Sequence, residues 1–80
     1  MDHLLKIEYI IHVLTEAKEL DYSEEITDLK CSASTGSELL MSITHTLKRY
    51  IEENEKIKGL VGGEVQELVD FCNSIGLSIK

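Results

Sequence analysis

The chain has no proline and no tryptophan, a single phenylalanine and only two cysteines among its 80 residues. Proline is the residue that most abruptly stops a helix, so its absence leaves helices free to run on, and any breaks must come from Gly, Ser and Asp. No stretch of 18 apolar residues exists, which excludes a transmembrane helix, and Asp2 and His3 stand where a signal peptide would carry a basic segment ahead of an apolar core. The expectation is a cytoplasmic protein in which Cys31 and Cys72 stay reduced. Internal repeats and low-complexity tracts are also missing, which predicts one domain over residues 1–80. Basic residues are scarce, eight against fifteen acids, for a net charge of −7. A field of that sign repels polyphosphates and anionic headgroups, so neither nucleic acid nor a membrane surface is an expected partner.

What the chain does have is helical periodicity. With 42% hydrophobic and 29% charged residues it belongs among globular sequences, and at this length about 60% of the unfolded chain's surface can be buried. On a 3.6-residue period, Leu4, Ile7, Ile10, Ile11, Leu14 and Ala17 share a broad face, with Val13 and Leu20 at its margin. Glu8, His12, Thr15, Glu16 and Glu19 lie opposite. An apolar arc this wide predicts a first helix, over residues 2–20, touched by more than one neighbour or by a second copy of the chain. Asp21, Tyr22 and Ser23 then offer caps for a short second helix built on Tyr22, Ile26 and Leu29 and reaching Lys30.

Residues 31–37 are small and polar, as in a loop, and Thr35 with Glu38 three residues on fits a capping box for a third helix, with Ser37 as the other possible cap. That helix carries the stripe Leu39, Leu40, Ile43, Leu47, Tyr50, Ile51 and Ile57, with Gly59 expected to close it and Gly62-Gly63 to form a second joint. The fourth helix would follow, with Val61, Val65, Leu68, Val69, Cys72 and Ile75 on its apolar face. Gly76 would cap its end, Leu77 would supply the contact that often follows such a cap, and Leu77 and Ile79 would pack as a tail. The predicted fold is all-α: a small bundle of three long helices and one short helix, with a short extended C-terminal tail.

The motifs of catalysis are missing. The small-residue loop ends Gly36-Ser37-Glu38 where a nucleotide-binding loop needs Gly-Lys-Ser/Thr, and the sixth residue after Cys31 is Ser37 where a phosphatase loop needs arginine. Glu8, His12 and Glu16 recur every fourth residue, but no HExxH-like partner set completes a metal site. His45 falls on a polar helix face, and Cys72 falls mid-stripe, where a thiol acts as a small hydrophobe. Lys48, Arg49, Lys56 and Lys58 alternate with Glu52, Glu53 and Glu55 in the pattern of a solvated charged face. Neither an enzyme nor a bound cofactor is expected.

Charge patterning is more informative. Glu16, Glu19, Asp21, Glu24, Glu25 and Asp28 crowd one stretch relieved only by Lys18. This predicts a non-enzymatic interaction module, an adaptor, regulator or inhibitor that presents an acidic surface to a basic protein. In size, acidity and helical content the chain resembles colicin-type immunity proteins, which bind basic nuclease toxins; it departs from them in having no Tyr-Tyr-Pro segment. Two other readings remain. In one, Cys31, Ser32, Ser34, Thr35, Gly36 and Ser37 form a ligand-binding or catalytic loop at a helix N-terminus. In the other, the first helix builds a homodimer.

Overall fold

The computed structural model describes residues 3–32 and 36–77. They form four helices and no strand: α1 (His3–Glu16), α2 (Leu20–Lys30), α3 (Gly36–Glu53) and α4 (Glu55–Ser74). Helix α1 packs on α2 and α4, and α3 packs on the same two, so the four make a ring with α1 across from α3 and α2 across from α4. The inner stripes follow the helical period: Ile7, Ile10 and Leu14 from α1, Ile26 from α2, Leu40, Ile43, Leu47 and Tyr50 from α3, and Ile57, Val61, Val65, Leu68 and Cys72 from α4. At roughly 25 cal/mol per Å² of apolar surface removed from water, each of these larger side chains stabilises the fold by about 1.5–3 kcal/mol. Two neighbours for α1 account for its broad apolar arc, with Ile11 and Val13 packing at its edges.

The helix joints depart from the sequence expectation. Helix α3 ends at Glu53, not near Gly59, because Asn54 takes an extended backbone (φ −138°, ψ 107°) and its side-chain Oδ1 accepts hydrogen bonds from the N–H groups of Lys56, at 3.0 Å, and Ile57, at 3.4 Å. Asn54 therefore caps α4, with Glu55 in the first turn where the helix dipole favours negative charge. Ile57, Lys56 and Lys58 consequently belong to α4. Gly59, Gly62 and Gly63 lie inside that helix and form no joint. Each disfavours helix by about 1 kcal/mol relative to alanine, but Ile57, Val61 and Val65 bury on one stripe only if the helix continues through them.

The break between α1 and α2 also differs. Lys18 adopts a left-handed backbone (φ 63°), the Glu19 N–H donates to the Leu14 carbonyl at 2.9 Å and the Lys18 N–H to that of Thr15 at 3.0 Å. This is a Schellman motif closed by lysine where glycine is usual, so no glycine marks it in the sequence. Leu20 consequently opens α2 and is exposed, and Asp21 lies in the first turn instead of capping it. Because a side chain in this conformation costs about 1–2 kcal/mol, Lys18→Gly is expected to raise stability by about 1 kcal/mol in urea unfolding. A loss would show that the lysine side chain stabilises the turn.

The end of α4 follows expectation. Gly76 is left-handed (φ 87°), the Leu77 N–H donates to the Cys72 carbonyl at 2.8 Å, and Leu77 packs against the core. Ile75, expected on the apolar face, is 53% exposed because it is the residue at which the chain leaves the helix. Leu4, expected inside, lies in the first turn of α1 and is exposed. The Thr35 cap and the Ile79 tail fall outside the described residues.

Candidate functional site

Helix α2 is held to the bundle along one edge by a polar and aromatic seam. The Tyr22 and Tyr50 rings meet edge to face with centroids 4.5 Å apart, and the Arg49 guanidinium lies 5.8 Å from the Tyr50 ring centre. Glu25 accepts a hydrogen bond from the Tyr50 hydroxyl and one from Arg49 at 3.5 Å, while Asn54 Nδ2 donates to the Tyr22 hydroxyl at 3.4 Å. At the start of the helix Glu19, whose side chain is only 19% exposed, pairs with Lys56 at 2.9 Å. At its end Lys30 pairs with Glu8 of α1 at 2.6 Å.

These contacts divide the six acids of the sequence-predicted surface. Glu19 and Glu25 are engaged within the fold, and Glu16 stands 3.9 Å from His12 on α1. Asp21, Glu24 and Asp28 remain. They follow an i, i+3, i+7 spacing on one exposed face of α2, and no cation among the described residues pairs with any of them. The cations are mostly engaged elsewhere: Lys6 with Glu67, Lys30 with Glu8, Lys48 with Glu52, Arg49 with Glu25 and Glu53, and Lys56 with Glu19. Part of the acid surplus of the composition thus lies in one stripe on α2, a helix held to α3 by the Tyr22–Tyr50 seam; Glu38, Glu55, Glu64 and Asp70, on α3 and α4, also have no cation partner among the described residues.

No family model, curated protein or solved structure matches this chain.

The small-residue loop has described residues at both ends. Cys31 is exposed at the carbonyl end of α2, the opposite of the helix N-terminal setting that activates thiols, and it lines a groove of about 480 Å³ with Glu8, Ile11, His12, Thr15, Thr27 and Lys30. Ser32 follows it and donates its N–H to the Leu29 carbonyl. Gly36 and Ser37, the first residues of α3, border a separate apolar hollow of about 250 Å³ with Leu40, Phe71 and Ile75. Ser34 and Thr35 are outside the described residues.

The groove between α1 and α2 is not visible in the sequence because it joins side chains far apart along the chain, His12 from the polar face of α1 and Cys31 from the C-terminal end of α2. The Thr15 hydroxyl donates to the Ile11 carbonyl and the Thr27 hydroxyl to that of Ser23, both at 2.8 Å, so neither is an idle donor in the groove. Among the described residues no three His, Cys, Asp or Glu side chains come together as a metal-binding group. Cys72 is buried, its Sγ 3.6 Å from the Thr44 hydroxyl, as expected of a core thiol. No described helix is long and apolar enough to cross a membrane.

Proposed function

We propose that the protein is a non-enzymatic interaction module whose docking surface is the outer face of α2, formed by Asp21, Glu24 and Asp28 and directed at a basic surface on another protein. The observation that supports this reading is the absence of countercharge: the described acids nearest the stripe, Glu19 and Glu25, are engaged by Lys56, Arg49 and Tyr50, whereas these three face solvent. Three like charges within two turns raise the local negative potential, which speeds encounter with a basic partner and disfavours acidic ones. The Tyr22–Tyr50 contact already holds α2 against α3, which lowers the ordering cost on binding.

The experiment is capture of partners from lysate on immobilised protein in low and high salt, with wild type beside an Asp21→Asn, Glu24→Gln, Asp28→Asn variant. A partner retained by wild type at low salt, released at high salt and weakened at least tenfold by the triple change is the expected outcome, since close charge contacts contribute kcal/mol-scale coupling. Retention that survives neutralisation, or no salt-sensitive partner at all, contradicts the reading. The alternative of a ligand-binding or catalytic loop has narrower support, in the exposed Cys31 thiol and His12 beside the α1/α2 groove.

A further inference from the structure

Helix α2 is the least anchored element of the ring. It is the shortest, at 11 residues, and among the described residues Ile26 is the one apolar side chain it buries fully, with Tyr22 and Leu29 partly covered. By the same measure α1 buries three apolar side chains, α3 four and α4 six. A helix of this length is marginal in water by itself, so α2 depends on its contacts with the other helices. Its N-terminal end adds little. Glu19 stands at the N-cap position without a side-chain cap bond, unlike Asn54 at the start of α4. The link to α1 turns through Lys18 in the left-handed region, which strains a residue bearing a side chain.

What joins α2 to its neighbours is largely polar. Lys56 of α4 holds Glu19, Arg49 and Tyr50 of α3 hold Glu25, Glu8 of α1 holds Lys30, and Asn54 reaches the Tyr22 hydroxyl. In each ion pair one partner is more than half exposed, Lys56 at 64%, Arg49 at 52% and Glu8 at 54%. Water and salt therefore screen these attractions, and they do not make up for the missing apolar burial. The other three helices stay joined without α2, because α4 packs on both α1 and α3.

We propose that α2 is a releasable strap, which unlatches from α1 and α3 as a unit while α1, α3 and α4 remain packed. Proteins open sub-globally at the elements with the fewest buried apolar contacts, and here that element is α2. Release changes the charge that the helix shows. Glu19 and Glu25 lose Lys56, Arg49 and Tyr50 and join Asp21, Glu24 and Asp28 as carboxylates without countercharge, while Ile26 and the Tyr50 ring come into water. The strap holds whether or not a partner docks on the acidic face.

Native-state hydrogen exchange of the full chain, followed amide by amide in urea below the unfolding transition, tests it. The amides of Ile26, Thr27 and Asp28 are expected to share one protection at least tenfold below that of Val65 and Leu68 in α4. Their dependence on urea should be shallower, because releasing α2 exposes less surface than unfolding the chain. Cys72 of α4 meets Thr44 of α3, a contact that survives release. Cys72→Ala should therefore lower protection in α4 severalfold and leave that of α2 within twofold of wild type. Lys56→Gln with Arg49→Gln, which removes two clasps at exposed positions, should lower protection in α2 threefold or more. Amides of α2 that exchange with the protection and urea dependence of α4 overturn the proposal, and so do α2 amides with unrelated rates, which is fraying and not release. Equal losses in both helices on Cys72→Ala, or an α2 unmoved by the loss of the two clasps, overturn it as well.

Discussion

Leu47→Ala is expected to lower stability by about 3–4 kcal/mol. Leu47 is fully buried in the middle of α3, the helix that packs on both α2 and α4. Truncating a buried leucine removes its transfer free energy and leaves a cavity, and such changes cost about 2.7–5 kcal/mol. At roughly 0.05–0.15 kcal/mol per residue, a chain of this length has on the order of 4–12 kcal/mol in all, so the loss is a large share. Urea unfolding followed by circular dichroism should show the midpoint falling at an unchanged slope. A loss below about 1 kcal/mol would mean that Leu47 does not occupy the packed centre described above.

In the opposite direction, Gly59→Ala combined with Gly63→Ala is expected to raise stability by about 2 kcal/mol. Both glycines lie inside α4, neither has positive φ, and a methyl group at either would meet nothing within 4 Å. Each change recovers about 1 kcal/mol of helix propensity, a backbone effect local to each residue, and two small methyl groups one turn apart on the helix surface do not oppose each other. For a domain of this size, 2 kcal/mol corresponds to about 8–16 °C in the thermal midpoint, readable by calorimetry. Gly76→Ala is the counter-example: its φ of 87° strains any side chain, so that change should destabilise. If alanine at 59 and 63 lowered the midpoint instead, α4 would not run unbroken from Glu55 to Ser74.

These glycines also show how far periodicity carries. The stripes were legible because burial imposes a 3.6-residue repeat on Ile7, Ile10 and Leu14, and on Leu40, Ile43, Leu47 and Tyr50, whatever the joints do. The all-α fold and its three long helices and one short helix follow from them. The joints were less legible because a cap is one residue's backbone choice. Asn54 followed by Glu55 was a usable N-cap signal that Gly59, the more conspicuous punctuation, obscured. Lys18 left no signal, since only its φ distinguishes it.

The candidate site divides in the same way. The acidic crowding between Glu16 and Asp28 is visible in the sequence, but which acids face solvent is not, because the cations that engage Glu19 and Glu25 come from Lys56 and Arg49, more than twenty residues away. The exposed Leu5 and Tyr9 escaped notice for a related reason. They lie off the main stripe of α1, and only the placement of α4 makes them, with Lys6 and Glu64, the border of a hollow of about 430 Å³.

The central functional claim, that the outer face of α2 is where a partner docks, is tested most directly by mapping. Amide chemical shifts of isotope-labelled protein would be followed while the salt-sensitive partner captured from lysate is added. Changes are expected to concentrate at Asp21, Glu24, Asp28 and their neighbours on α2 and to diminish as salt is raised. Changes centred on Leu5, Tyr9 and Glu64, or on His12 and Cys31, with α2 undisturbed, would contradict it.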